Sequence, residues 1–543
     1  MWAWCVVLTL LYVFLDRSLS KRCYDHSGKE FIVVPFTITT SGEIFQIHIA
    51  SNPTVTSAVP GTIRTPIIRQ GSASRFSSSF SVTPPNRVSI NIQNFEVVPV
   101  NVITDTAIVI NTSYDVVVSV SYGKSGSLGS MLVFPTETLG TDYRIVTFSP
   151  IPPTTDKAIL VIAAAYSDTS IQLFPGSEEV ELEINGIYYT GTDIASVSLA
   201  QYESIVISSS EDLTGIRVLA TKPVAVYSGN IDLSINNDGE TDAALEQMPP
   251  ISELGQKHII VSNPKVKRDF IKIVSTVDNT EVYVDSVYYG IDLAGEFVIT
   301  ELGSDGSGSY AIVISSYPVL VALFGDKDEN SDNVMTDVTM TIIPPITNYG
   351  NSYVFITPTK SLPVTYTHNV VVISPQGLSE DLRLDGSSTS LQGLSWTPVT
   401  DINNDVNHEI VSSIVISEGV HVLTSLNDTH QFGGYLYGTA ARQSYGTALA
   451  TFSKNTWTIQ GLCSTSKFVK IADDKLPFPV ELSTNTTRTY FRCYQLCSLS
   501  ATCGVVAVFR QSSTSVECRL YESETQCGPF QNVTGFKLFA RQK

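Results

Sequence analysis

The sequence predicts an all-β protein of tandem β-sandwich-like repeats, with a small disulfide-rich α+β domain at its C-terminal end. Three observations carry this. From Glu30 to about residue 450, short alternating apolar runs are broken by Gly, Pro, Asn, Asp and Ser, and no segment holds a helical period. Within that region an ordered segment recurs: LEQMPPISELGQKHIIV (245–261) and MTIIPPITNYGNSYVFI (340–356) place Pro249/Pro344, Pro250/Pro345 and Gly255/Gly350 each 95 apart. A recurrence of that kind marks a duplicated structural unit. Finally, six of the eight cysteines fall within residues 463–543, a density that suits a disulfide framework.

Taken in order, the chain opens with an apolar run, Cys5 to Leu15, followed by small residues at Ser18 and Ser20. Too short to span a bilayer, it is expected to be a signal peptide, residues 1–20, cleaved before Lys21. Later apolar stretches are only strand-length and the end, FKLFARQK, carries no apolar tail, so a secreted protein without membrane insertion is expected. Phe31–Phe36, Ile44–Ile49, Val88–Ile92, Ala107–Ile110 and Val116–Val120 read as the strands of a first unit. Its crossing is Pro135-Thr-Glu-Thr-Leu139-Gly140, with the spacing of Pro250 to Leu254-Gly255.

The second unit is the clearest. Ile159–Ala164 and Ser170–Phe174 flank a hairpin; Glu181–Ile184 and Ile187–Thr190 flank Asn185-Gly186, a favoured tight-turn dipeptide. The run KPVAVYSG (222–229) then returns toward the Pro-Pro crossing. In the third unit Phe270–Val274, Val287–Tyr289, Tyr310–Ile314 and YPVLVALFG (317–325) repeat the order. A fourth, degenerate unit runs from Val370–Ile373 through Asp385-Gly386 to Gly433-Gly434-Tyr435-Leu436-Tyr437-Gly438. Seven or eight strands per unit suit one β-sandwich each; a β-propeller with two blades per unit is the alternative. Gly255 and Gly350 read as turn residues, strained on substitution by Val if φ is positive.

The net charge of −19 opposes nucleic acid and anionic membranes. No GxSxG elbow, P-loop, HExxH or GxGxxG after a strand occurs, and the seven histidines are scattered, so an enzyme is not expected. His421, alternating with Val420 and Val422, reads as strand surface. The loop after the third unit's apolar strand carries Asp326, Asp328, Asn330 and Asp332, alternate oxygen ligands of a type that wraps calcium. The second unit's loop matches it with Asp232, Ser234, Asn236 and Asp238, and a solvated acidic loop is the plainer reading of both. Sequons at Asn111, Asn427, Asn485 and Asn532 are candidate glycosylation sites. Cys23, the odd cysteine of the mature chain, is either a free thiol or the link of a covalent homodimer.

The KPVAVYSG run, LEQMPP…LG..HIIV, FGGYLYG and the early FPTETLGTDYRIVTF, in that order, resemble the N-terminal domain of the IgGFc-binding protein family. The resemblance covers residues 25–450 and implies a secreted recognition domain associated with mucus or cell surfaces. After a linker at 451–462, residues 463–543 resemble a PAN/apple domain, with Tyr490–Leu499 as its helix. That resemblance implies the pairing Cys463–Cys527, Cys493–Cys518 and Cys497–Cys503. The function expected is that of a non-enzymatic recognition or adhesion glycoprotein of innate immunity. Its ligands would be glycans or glycoproteins of mucus, matrix or microbial surfaces. A disulfide-crosslinked structural component of mucus or matrix is the alternative, and no cofactor beyond the calcium candidate is implied.

Overall fold

The structure, a computed structural model, describes residues 24–36, 43–52, 55–66, 76–92, 98–124, 127–150, 156–176, 180–191, 193–235, 241–263, 268–302, 310–326, 337–358, 365–387, 391, 393–400, 406–440, 443–449, 452–453, 467–476, 481–487, 503–510, 516–522 and 531–542. For residues 24–25, 43, 124, 127, 400 and all those after 449 it describes the backbone alone. Contacts divide the chain into a unit spanning Tyr24–Phe452 and a second unit of residues 1–23 with 453–543.

The first unit contains four β-sandwich repeats. Each is organised on a chain segment that belongs to both of its sheets. In the first repeat that segment is one strand, Ile108–Lys124: its first half pairs with Gly28–Val33 and Val59–Arg64, its second with Glu43–Ser51 and Ser127–Val133. Tyr310–Gly325 does the same in the third repeat, against Gly255–Val261, Thr280–Val284, Asp269–Ser275 and Thr339–Ile342. In the second and fourth repeats the segment is broken, as Arg217–Ala220 with Val224–Leu233 and as Val420–Ser425 with Gly433–Ala440. The breaks fall at Lys222-Pro223 and around Asn427–His430, where proline and turn residues interrupt the ladder. Two sheets joined by a crossing strand make a sandwich; a propeller blade would be one up-and-down sheet.

The repeats close into a ring. The last strand of each, Ser127–Val133, Asp242–Gln247, Thr339–Ile342 and Gln443–Leu449, packs against its counterpart in the next repeat, and the fourth packs against the first. These inner strands are buried on both faces, as in DAALEQ, buried throughout, and so lose the alternation that marks a half-exposed strand. Side chains link them: Gln247 Oε1 accepts from Phe134 N–H at 2.7 Å, Ser444 Oγ from Asp337 N–H at 3.0 Å and Thr447 Oγ1 from Leu132 N–H at 3.1 Å. The four cores also lend residues around the ring. Leu245 joins the first core, Phe324 the second, Tyr435 the third and Leu128 the fourth.

The Pro/Gly crossings set the spacing of the ring. Pro135, Pro250 and Pro345 each precede a short 3-10 turn with φ between −65° and −68°, values that the proline ring fixes. Each proline packs on the glycine of the preceding crossing. A methyl group on Gly28, Gly140 or Gly255 would stand 2.3, 2.4 and 2.4 Å from the Cβ of Pro135, Pro250 and Pro345 respectively. Gly28 therefore belongs to a crossing that carries no preceding Pro-Pro signal. Gly255 and Gly350 are not among the residues with positive φ, so it is contact with Pro345, not backbone strain, that requires glycine at 255.

Three residues after each crossing glycine stands Phe31, Tyr143, His258 or Tyr353. The Tyr143 hydroxyl accepts from Gly140 N–H and donates to Val224 O, both at 2.7 Å, and Tyr353 repeats both bonds with Gly350 N–H and Phe432 O. His258 occupies the equivalent place with both ring nitrogens buried and unbonded. Between the second and third repeats, Lys272 is fully buried, 2.6 Å from Asp212 Oδ2 and 2.9 Å from Thr147 O. A buried lysine so partnered holds register between repeats while contributing little net stability.

In the second unit, five antiparallel strands form one sheet in the order Lys467–Leu476, Gln531–Gln542, Cys503–Arg510, Val516–Glu522, Glu481–Thr487. The candidate helix Tyr490–Leu499 lies outside the described residues.

Two outcomes follow for stability. Gly255→Val is expected to cost about 2–4 kcal/mol by overpacking against Pro345, whereas Gly186→Ala, open around its Cβ but at φ +78°, costs about 1 kcal/mol; thermal melts of secreted protein compare them. His258→Tyr is expected to gain about 1–2 kcal/mol by restoring the paired hydroxyl and to lessen acid sensitivity. Burial pushes the His258 ring down to about 3 in the folded chain from 6.5. The unfolded chain therefore takes up a proton as pH falls through about 6.5 and the folded chain does not, so His258 alone contributes a loss of about 2 kcal/mol between pH 7 and pH 5. Melts at the two pH values check this: the variant should lose that much less than the parent.

Candidate binding surface

Three repeats present the same two-residue hairpin, and its positions recur every 100 residues: Leu182, Val282 and Leu382; Ile184, Val284 and Leu384; Asn185, Asp285 and Asp385. The first two sets point inward and are buried. The first turn residue has φ of 51°, 53° and 53°, the left-handed conformation that Asn and Asp tolerate best after glycine. Beyond the turn the sequences differ: Ile187-Tyr188 in the second repeat, Val287-Tyr288 in the third, Ser387-Ser388 in the fourth, where Ser387 is half-buried and Ser388 lies outside the described residues.

The pairs of the second and third repeats are apolar and exposed. Tyr188 is 59% and Tyr288 54% exposed, with Ile187 and Val287 equally open. Tyr188 stands across the strand pair from Glu183, and Tyr288 from Tyr283, whose ring lies 5.3 Å away, tilted by 56°. The next residues turn back inward; Tyr289 packs on the third core and donates to Thr300 Oγ1 at 3.2 Å. The fourth repeat closes the same turn between Leu384 and Ser387 with serine in place of the apolar residue, so the turn itself does not need the pair. Asn185-Gly186 is legible in the sequence as a turn, whereas the exposure of the pair after it is not. The 100-residue period was the available signal.

The acidic loop residues have a different environment. Asp326 is 1% exposed, its Oδ2 3.2 Å from Arg268 Nη2, and its N–H donates to Arg268 O. Beside it, burial pushes the Asp269 carboxyl up to about 7 despite hydrogen bonds from Ser262 and Asn263. Asp328, Asn330 and Asp332 lie outside the described residues. In the second repeat Asp232 is buried near Asp156, which receives Asn230 Nδ2 at 3.1 Å on both oxygens and is likewise pushed up to about 7, chiefly by burial. Among the described residues no cluster of three His, Cys, Asp or Glu has metal-binding geometry.

His421 is buried rather than on the strand surface, Nδ1 2.8 Å from Asp385 Oδ2 and Nε2 2.9 Å from Ser417 O, because this strand turns its odd-numbered positions inward. A cavity of about 20 Å³ between the first and fourth repeats, lined by His26, Leu132, Tyr353 and Thr447, has room for one water rather than a ligand. Of the sequons, Asn427 is exposed in a turn, its Oδ1 accepting from Thr429 Oγ1 at 2.7 Å. Asn111 is half-buried in a strand paired on both sides, and Asn485 and Asn532 lie on strands of the second unit. Cys503 is opposite Glu522 and Cys518 opposite Val508, while Cys23, Cys463, Cys493, Cys497 and Cys527 lie outside the described residues.

The family model for IgGFc binding protein matches residues 129–438, more than half of the chain. The chain belongs to the IgGFc binding protein family. It is 27% identical over 335 residues to the IgGFc-binding protein of Homo sapiens, an alignment that takes in 60% of this chain and 6% of that protein. The match to the IgGFc binding family begins at Gly129, in the innermost strand of the first repeat, although the repeat itself starts a hundred residues earlier in the structure. The family is named for a binding activity, not a catalytic one. Among the described residues no helix is long and apolar enough to cross a membrane.

A calcium ion on the third repeat's loop would have to draw Asp326 away from Arg268. Melting in excess calcium is therefore expected to match melting in chelator; a higher midpoint in calcium would show linkage to a native-state site.

Proposed function

We propose that the ring of four repeats is the ligand-binding part of a secreted recognition or adhesion glycoprotein, with glycoproteins or glycans of mucus, matrix or microbial surfaces as its targets. One observation carries this reading: two of three equivalent turns are followed by paired apolar and tyrosine side chains in solvent, and the third turn closes with serines in their place in the sequence. Exposed aromatic side chains on a rigid scaffold supply contact area at low entropic cost. The name of the human relative makes immunoglobulin Fc one ligand to test. Asn427, exposed in its turn, is a proposed glycan acceptor, as are Asn111, Asn485 and Asn532, and residues 463–543 are the proposed PAN/apple domain, closed by its six cysteines.

The structure narrows where the surface can be altered. Replacing residues 230–244 or 326–338 whole would remove buried Asn230, Asp242, Asp326 and Val338 along with the loop. The hairpin tips can be changed without that damage. Full-length chain carrying Ser-Ser at 187–188 and 287–288, copied from the fourth repeat, is expected to melt like the parent and to lose most binding to immobilised gastric mucin or IgG Fc. Equal binding by parent and variant would place the site elsewhere. Recovery of the parent in reducible high-mass polymers, with no binding to either surface, would instead favour the crosslinked structural role through Cys23.

A further inference from the structure

We propose that the two tyrosine hairpins dock an arginine- and lysine-rich segment of a partner protein; this rests on the recognition reading above and names the partner class. Charge complementarity points to it. No lysine or arginine occurs from Ala158 to Ile216 or from Ile273 to Asp326, the stretches that supply both hairpins and their neighbouring strands. In the same stretches Glu183 stands opposite Tyr188 with Glu181 on the same strand, Glu281 stands on the strand paired with Tyr288, and Asp193, Asp285 and Asp292 lie within five residues along the chain. On the face of Tyr283, Lys257 is two strands away in register, across Ile314. In the fourth repeat the equivalent hairpin has both lost its aromatics and acquired a cation, Arg383.

The chemistry of the tips fits a cation with an aliphatic stem. No hydrogen bond to the hydroxyl of Tyr188 or Tyr288 occurs among the described residues, and although Tyr288 also packs on Tyr283, both rings are more than half exposed and can offer a face to a guanidinium or ammonium. Ile187 and Val287 beside them can cover the methylene stem, and the glutamates can accept its N–H groups. The fold already contains such a contact: Lys272 Nζ sits 4.1 Å from the Phe297 ring centroid with Asp212 as counter-charge. At the tips the cation would come from outside.

The test uses the full chain and a fluorescein-labelled alternating arginine–glycine peptide, read by anisotropy, with a glutamate–glycine peptide as the opposite-charge probe. The parent is expected to bind only the arginine peptide. Tyr188→Ser with Tyr288→Ser, which leaves net charge unchanged, should weaken it about tenfold, from two exposed cation–π contacts. Tyr188→Phe with Tyr288→Phe should keep the affinity, and so should Tyr114→Ser, which removes an exposed tyrosine from the first repeat. Equal affinity of the double serine variant and the parent would overturn the proposal, since diffuse negative charge alone would then account for binding. A parent that binds mucin or IgG Fc but not the arginine peptide would overturn this inference alone; a parent that binds none of the three would overturn the recognition reading as well.

Discussion

The structure depends on how closely one crossing approaches the next. Glycine at 28, 140 and 255 lets Pro135, Pro250 and Pro345 rest directly on the backbone of the preceding crossing. A proline brings no N–H that must be satisfied there, so the contact leaves no donor stranded. Asn348 extends the link by donating Nδ2–H to Glu253 O at 2.8 Å, from one crossing to the one before it. Because the crossing leads out of one repeat's inner strand and into the next repeat's first strand, this contact fixes the step between sandwiches. Three such crossings link the four repeats, and Gln443–Leu449 packs back against Ser127–Val133.

Closure has an energetic consequence at the centre of the ring. Inner strands covered on both faces must satisfy polar side chains within the protein, and many do so across a repeat boundary, as Tyr122 does by donating to Leu245 O and accepting from Leu245 N–H. Glu246 has no such partner for Oε1, and burial pushes its carboxyl well above the usual carboxylate range. The centre is thus specific rather than maximally stable, while the rim is free to vary. The hairpin shows both within a single strand pair: Leu182 and Ile184 are buried in the core, and Tyr188 beyond the turn is left in solvent.

Much of the fold was legible because proline and glycine act through backbone geometry that any reader of sequence can count. The Pro/Gly crossings, the duplicated unit and the Asn185-Gly186 turn are of this kind. What escaped depends on partners distant in sequence. The crossing at Gly28 carries no Pro-Pro, and only its contact with Pro135 reveals it. His421 alternates with valines as a surface residue would, but which face of a strand is inside depends on the opposing sheet. Tyr188 and Tyr189 are chemically identical neighbours, and the pleat alone makes one solvent-facing and the other half-buried. Asp326 stood in a run of alternating oxygen ligands, and its pairing with Arg268, 58 residues away, was not visible in that run.

The central claim is that four sandwiches form one cooperative ring, not a string of independent domains. Native-state hydrogen exchange measures this most directly. If the ring is one unit, amides of Ser127–Val133, Asp242–Gln247, Thr339–Ile342 and Gln443–Leu449 will exchange with a common opening free energy equal to that of global unfolding. Separate opening free energies for the four strands, graded by repeat, would contradict it.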